Sequence, residues 1–327
     1  MRAVRIREPG GPEVLELVDV PDPELPPSHV RVRVRWAGLN RADLLQRLGL
    51  YPAPPGAPRD IPGLEYAGEV VELGAGVTRL AIGDRVLGVV GGGAYAEQVV
   101  VHEREAARVP ASVDLRAAGA VPEAFATAWD ALVARGGLVP GERVLVHAVG
   151  SGVGTAVVQL ARALGCHVTG TSRTASKLES ARALGLSEGV LSADVAAMRA
   201  ELGRIAPTGH DVIVDLVGGA MVAEDVQLAA TRGRVVVVGL TAGPRAEIDL
   251  GRLLSRRITV VGTVLRARPI EEKIAVAREL ERTIVPWLAE GRIHGVVDRT
   301  FPLAEAAEAH RLLASNDTFG KVLLEVG

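Results

Sequence analysis

The stretch VLVHAVGSGVGTAVVQLARALGCHVTG, residues 144–170, decides how the chain is read. It runs from an apolar segment through a glycine-rich turn and a helical pattern to a second β-like segment. That is the order of a strand, a turn, a helix and a neighbouring parallel strand. The first amides of a helix lack partners within it, and the helix dipole favours negative charge there, so such a turn is a physical anion site. Glycine lets the backbone bend tightly and approach an anion without a Cβ in the way. Here the glycines are Gly150, Gly152 and Gly154, with Ser151 and Val153 between them. The usual dinucleotide pattern is G-x-G-x-x-G, and its sixth position here is Thr155. The spacing alone admits both a nucleotide site and an ordinary glycine-rich turn.

The second strand sharpens the reading. NAD-binding folds place an acidic residue roughly 20 positions after the glycines to accept hydrogen bonds from the ribose hydroxyls. The corresponding segment, GTSRTASK at 170–177, has no Asp or Glu and offers Ser172, Arg173, Thr174, Ser176 and Lys177. Hydroxyls and two cations suit a 2′-phosphate, so NADPH rather than NADH is expected. The plainer alternative makes Arg173 and Lys177 solvated residues at a helix start.

Outward from this turn, apolar strands alternate with helical patterns: DVIVDLV, AEDVQLAATRG, RVVVVGL and RITVVGTV. Continuously apolar strands suit a parallel sheet covered on both faces, and the alternation predicts a doubly wound α/β domain. The first 110 or so residues differ. AVRIRE, HVRVRVRWAG, YAGEVVELG, GDRVLGVV and YAEQVVVHE are short period-2 strands between Pro and Gly clusters. After a long helical pattern, PIEEKIAVARELERTIVPWLAEG, the closing GKVLLEV resembles that first part again. The expected architecture is a discontinuous β-rich domain (1–121 and 266–327) with a doubly wound domain (122–265) inserted. A cleft between two such domains is a common ligand site. Gly218, Gly239, Leu240 and Thr241 end strands of the inserted domain, where open α/β sheets bind ligands.

Composition removes other classes. The 327 residues carry a formal net charge of −2, without the basic face that nucleic-acid binding needs. Cys166 is the only cysteine, which excludes an internal disulfide and a cysteine zinc cluster. The start, MRAVRIREPGG, has no apolar signal-peptide core, and no apolar run approaches the roughly 20 residues of a membrane span. A cytoplasmic protein with no membrane partner is the expectation.

AGLNRADLLQRLGLYPAPPGAPRDIPGLEYAGEVVELG (37–74) is hard to read by periodicity. Together with VPEAFATAWDAL, VHAVGSGVGTAVVQLA, GTVLRAR and GKVLLEV it resembles the zinc-independent quinone oxidoreductase branch of the medium-chain dehydrogenase/reductase superfamily. The LNRADLLQR…YPAPPG wording is closest to the p53-inducible quinone oxidoreductase type. The resemblance covers essentially the whole chain. It implies a GroES-like β-rich catalytic domain with an inserted Rossmann domain, NADPH as cofactor, and a homodimer or homotetramer.

Carried over by motif, Asn40 and Tyr51 would lie beside nicotinamide and substrate, with Gln46 and Glu65 shaping the pocket. Asn40 carries a donor and an acceptor, and Tyr51 a ring face and a phenol. Asn40 also stands where it would cap the helix RADLLQR, and Tyr51 reads equally as loop packing. The resemblance brings Thr127, Thr263, Val264, Leu265 and Lys321 to the cofactor. Zinc-dependent members take a Cys in the segment matching AGLN and a His in a G-H-E motif. Here the first segment has no Cys and the second reads Gly63-Leu64-Glu65, so no metal is expected. His147 and His167 flank the nucleotide strands and read as structural. Without a Lewis acid, an acceptor already primed for hydride fits best: a quinone, or the activated C=C of an enone, alkenal or enoyl thioester. A third reading is an NADPH-binding sensor or structural protein without important turnover. The RRITVVGTV strand at a sheet edge would favour a twofold dimer.

Overall fold

The alternating stretch HVRVRVRWAG forms a strand, as its period predicts, with Val30, Val32 and Val34 buried and Arg33 outside. Each buried valine contributes roughly 1.5–3 kcal/mol. The outward arginines meet acids of the adjacent strand: Arg31 lies 2.6 Å from Glu72 and Arg35 3.1 Å from Glu69. The computed structural model describes residues 1–327 and falls into two compact units, 1–126 with 265–327, and 127–264.

The first unit begins with the antiparallel pair β1 (Arg2–Ile6) and β2 (Leu15–Asp19). Its main sheet is built on β3 (His29–Gly38), which pairs antiparallel with β4 (Glu65–Leu73) and β6 (Gln98–His102). Next to β4 come β5 (Arg85–Val89) and β7 (Ala107–Arg108). The core between them holds Val32, Tyr66, Val86 and Tyr95.

The second unit is one parallel sheet. Its strands are β8 (Arg143–Val146), β9 (His167–Ser172), β10 (Glu188–Leu191), β11 (His210–Asp215), β12 (Ala229–Val237) and β13 (Thr259–Gly262). Their order in space is β10-β9-β8-β11-β12-β13. Numbered within the unit this is 3-2-1-4-5-6, the dinucleotide-binding order, and it reverses between β8 and β11. Leu145, Met198, Leu202, Ile213 and Val235 form the core. β13 is the edge strand and is mostly exposed.

One helix is shorter than its sequence predicts. In AEDVQLAATRG the helix ends at Leu228, and Ala229 opens β12. Ala229 pairs with His210 and, with Ala230, is buried, so sheet pairing overrides the helical preference of alanine. The helix Pro122–Trp129 continues into a π-helical stretch, Asp130–Arg135. Ile270–Glu279 likewise continues through a π-helical stretch, Leu280–Ile284, into Val285–Ala289.

The chain then returns to the first sheet. β14 (Val297–Pro302) runs parallel to β15 (Lys321–Glu325), and β15 pairs antiparallel with β3, Leu323 opposite Gly38. This pairing brings the end of the chain beside Asn40.

Candidate active site and cofactor turn

Asn40 follows β3 and stands at the N-cap of the helix Arg41–Arg47. Asp43, three residues on, accepts from the Asn40 backbone N–H at 2.8 Å. The Asn40 side chain is held elsewhere. Its Nδ2 donates to Glu65 Oε1 at 2.9 Å and to the Gly38 carbonyl at 3.3 Å, and its Oδ1 accepts from Lys321 Nζ at 2.7 Å. Both amide hydrogens are therefore engaged, and the group left to a ligand is the second lone pair of Oδ1.

Lys321 and Glu65 form a buried ion pair at 2.6 Å. Lys321 Nζ also donates to the Leu39 carbonyl at 2.5 Å, so its three hydrogens serve Leu39, Asn40 and Glu65. Glu65 Oε2 accepts from the Glu123 backbone N–H at 2.8 Å, at the start of the helix Pro122–Trp129, where a negative charge is favoured. A Cβ on Gly38 would stand 2.3 Å from Glu65 Oε1, so only glycine admits this carboxylate.

A second cluster holds Tyr51. Arg266, 3% exposed, donates through Nε to the Gly91 carbonyl at 2.8 Å and through one terminal nitrogen to the Tyr51 carbonyl at 3.0 Å. Its other terminal nitrogen donates to Gln46 Oε1 at 2.5 Å, while Gln46 Nε2 donates to the Arg59 carbonyl at 3.1 Å. The guanidinium carbon lies 4.9 Å from the centre of the Tyr51 ring. Burial raises the Tyr51 phenol above its usual value, Arg266 opposes that shift, and Glu123 adds to it.

Behind the Arg41–Arg47 helix lies a buried polar chain. Tyr95 donates to Asp43 Oδ2 at 3.1 Å, and His310 lies 3.3 Å from Tyr95 and 3.3 Å from Arg47. Burial pushes Asp43 up to about 6, against the Asn40 N–H and the Lys321 charge, and pushes His310 down to about 3.

In the second unit the glycine turn follows β8. Ser151 is the N-cap of the helix Gly152–Ala163, and its Oγ accepts from Gly154 N at 3.0 Å. A Cβ on Gly154 would stand 2.5 Å from the Ala148 carbonyl oxygen. Gly154 thus allows the close helix–strand packing that the third glycine of the usual pattern supplies. Val153 is half-buried beside it. A Cβ on Gly150 would stand 2.7 Å from Lys177 Cδ, so the lysine stem lies over the turn. At the end of β9, Ser172 is buried and its Oγ accepts from Thr174 N at 3.1 Å, while Arg173 and Thr174 are exposed.

The ends of β11 and β12 meet across from this turn. Asp215 caps Val217 N at 2.7 Å and Gly218 N at 3.0 Å. A Cβ on Gly218 would stand 2.7 Å from the Gly239 carbonyl; Leu240 is exposed, and Thr241 Oγ1 lies 3.5 Å from the Val217 carbonyl. Beyond β13, the Thr263 hydroxyl donates to the buried Asp130 carboxylate at the start of the Asp130–Arg135 π-helical stretch. Thr127 is buried one turn earlier in that helix. Val264 ends the second unit, exposed, and Leu265 opens the return to the first, buried. His147 is fully buried between Thr171 at 2.8 Å and Asp225 at 2.7 Å. Burial raises Asp225 to about 6, against the attraction of His147.

Sequence reading singled out neither Asp43 nor Arg266. Asp43 carried a usable signal, an acid three residues after an N-cap. Arg266 lies within the GTVLRAR motif, but nothing in that motif marks it as reaching the Tyr51 loop.

Two known families match this arrangement: an alcohol dehydrogenase GroES-like domain over residues 26–111 and a zinc-binding dehydrogenase over residues 152–282. A quinone oxidoreductase of Pseudomonas aeruginosa is 37% identical over 324 residues, spanning 96% of either chain. The chain belongs to the quinone oxidoreductase-like branch of the medium-chain dehydrogenase/reductase superfamily. Its first unit is the GroES-like domain of that superfamily and its second the Rossmann-like domain. A quinone oxidoreductase of Escherichia coli complexed with NADPH has this fold, with a TM-score of 0.88 at 28% identity and all of both chains covered. So does an NAD-dependent alcohol dehydrogenase, with a TM-score of 0.88 at 33% identity and equal coverage. A polyketide synthase of Streptomyces halstedii, GfsB, is 38% identical over 300 residues, 91% of this chain but 5% of that protein's length. Despite the wording of the second family description, Leu64 stands in the G-L-E segment and no group of three His, Cys, Asp or Glu side chains is arranged to hold a metal. No helix is long and apolar enough to cross a membrane.

Proposed function

We propose that the chain is a zinc-independent, NADPH-dependent quinone oxidoreductase, of the p53-inducible type within its branch. The observation that carries this reading is the turn at the ends of β8 and β9, where Lys177 overlies Gly150 and exposed Arg173 replaces the ribose-binding acid. Bound NADPH supplies a hydride. The Gly152–Ala163 helix start would hold the pyrophosphate at the amides of Gly150, Gly152 and Val153, those of Ser151 and Gly154 being engaged within the turn, with Arg173, Lys177 and the hydroxyls of Ser172 and Thr174 toward the 2′-phosphate. Gly218, Gly239, Leu240 and Thr241 would contact the cofactor at the strand ends, and Thr127, Thr263, Val264 and Leu265 would lie near its nicotinamide.

Asn40 is fixed by Lys321 and Glu65 and accepts a hydrogen bond from the nicotinamide side of the cofactor through Oδ1. In this reading Lys321 and Glu65 act through Asn40, since the Lys321 hydrogens are already used. Tyr51 donates its phenol to the acceptor oxygen, and Gln46 shapes the pocket wall through Arg266. A quinone needs only hydride, a proton and a hydrogen bond to one oxygen, which suits a site whose side chains provide donors rather than metal ligands. The exposed edge strand β13, with Val260 exposed, supports a homodimer formed by pairing of the two sheets.

A second reading is reduction of an activated C=C bond such as that of an enoyl thioester, which needs the same hydride delivery and a polarised oxygen. A panel decides. NADPH oxidation by 1,2-naphthoquinone and 9,10-phenanthrenequinone, but not by 2-alkenals or enoyl-CoA, is the expected outcome. The reverse pattern selects the second reading, and tight NADPH binding without turnover selects a sensor.

A further inference from the structure

The Arg266 guanidinium is nearly inaccessible, yet its three hydrogen-bond acceptors are all neutral oxygens: the Gly91 and Tyr51 carbonyls and the Gln46 amide. Burying a cation without a carboxylate partner is costly, and a purely structural strut could be built from neutral groups. The acceptors come from two separated stretches of chain: the Arg41–Arg47 helix with the loop that follows it, and the turn after β5. The charge therefore sits at one defined place, against the face of Tyr51 at 4.9 Å.

We propose that Arg266 is a positioning residue that fixes Tyr51 and, through its charge, makes the Tyr51 phenol a stronger hydrogen-bond donor to the acceptor oxygen that gains negative charge. The inference rests on the reading of Tyr51 given above. A donor strengthens as its own conjugate base is stabilised, and a cation stacked on the ring stabilises the phenolate. The charged groups acting on Tyr51 are Arg266, which favours ionisation, and Glu123, which opposes it. Gln46 and the Gly91 carbonyl hold the guanidinium in place, so loss of either would loosen the Tyr51 loop without removing the charge.

The chain allows a direct test because it has only three tyrosines. Tyr66 and Tyr95 are fully buried, and burial raises both far above the usual phenol range. The first alkaline rise in tyrosinate absorbance therefore reports Tyr51, and Tyr51→Phe must abolish it. In Arg266→Met the midpoint of that rise should move up by about one pH unit. Turnover of 1,2-naphthoquinone should fall about 10- to 100-fold, with NADPH affinity changed less than about twofold. Arg266→Lys, which keeps the charge and loses the fork, should restore most of the midpoint and less of the turnover. In a Tyr51→Phe background, Arg266→Met should cost little more. An unchanged midpoint in Arg266→Met or, should that variant not fold, a Lys variant whose midpoint matches a Gln variant, overturns the proposal; so do additive losses. If the wild-type chain reduces neither quinones nor activated alkenes, the functional reading fails, and the midpoint comparison still decides this one.

Discussion

Lys321 Nζ lies 2.6 Å from Glu65 Oε1, with both side chains buried and the Asn40 amide bonded to each. A buried pair stabilises little against an apolar replacement, but removing one partner strands the other charge. Lys321→Met should therefore destabilise the fold by about 3–5 kcal/mol, measured by urea unfolding. The double variant Lys321→Met/Glu65→Leu should cost less than the sum of the single changes. Additive losses would show that the two side chains do not act as a pair.

In the proposed function the cations beyond the glycine turn carry the cofactor preference. Arg173→Ala and Lys177→Ala should each weaken NADPH by about 10- to 100-fold, as expected for a lost charge-assisted phosphate contact. NADH affinity should change little. Titration of cofactor fluorescence checks this, and equal losses for both cofactors would remove the assigned 2′-phosphate site.

Gly154 and Gly203 both lie in helices but differ in surroundings. A Cβ at 154 meets backbone at 2.5 Å, whereas one at 203 meets nothing within 4 Å. Gly154→Ala should destabilise by about 1–3 kcal/mol and weaken NADPH, because the helix start must move off the strand end. Gly203→Ala should stabilise by about 0.5–1 kcal/mol through helix propensity alone. Thermal unfolding of the two variants provides the contrast.

His210 is buried at the start of β11, and burial lowers its pKa to about 4 against the opposing effect of the Leu228 backbone. Between about 6.5 and 4 the unfolded chain binds a proton there and the folded chain does not, so stability falls as pH drops through that window. His310, lowered to about 3, acts in the same direction. Asp43 and Asp225, raised to about 6, act oppositely: their contribution is full below the unfolded carboxylate value and is lost as pH rises through 6. The four effects offset one another in the wild type, so a single change exposes one. His210→Leu should gain about 2.5 kcal/mol more at pH 4.5 than at pH 7.5 in urea unfolding. An equal gain at both values would mean that the ring is not neutral and buried as found.

Local pattern made much of the fold legible. Alternation in HVRVRVRWAG marked the buried face of β3, and strand–glycine–helix order marked the doubly wound unit. It failed at AEDVQLAATRG, where the preference for helix met a sheet neighbour from Ala229 onward. Resemblance brought Asn40, Tyr51 and Lys321 to notice without saying what they touch.

By itself the sequence determined which faces are buried, where the glycine turn lies, and that cations rather than an acid follow it. Those properties depend on residues within a few positions of one another, which is the range of helix and strand periodicity. Tertiary structure decided the partnerships. Lys321 meets Asn40, 281 residues away, because β15 pairs with β3, and Arg266 meets Gln46, 220 residues away, because the chain returns to its first unit. No local period encodes such pairings. They are selected because a buried charge is tolerated only where the whole fold supplies its counter-charge or a set of oxygens around it.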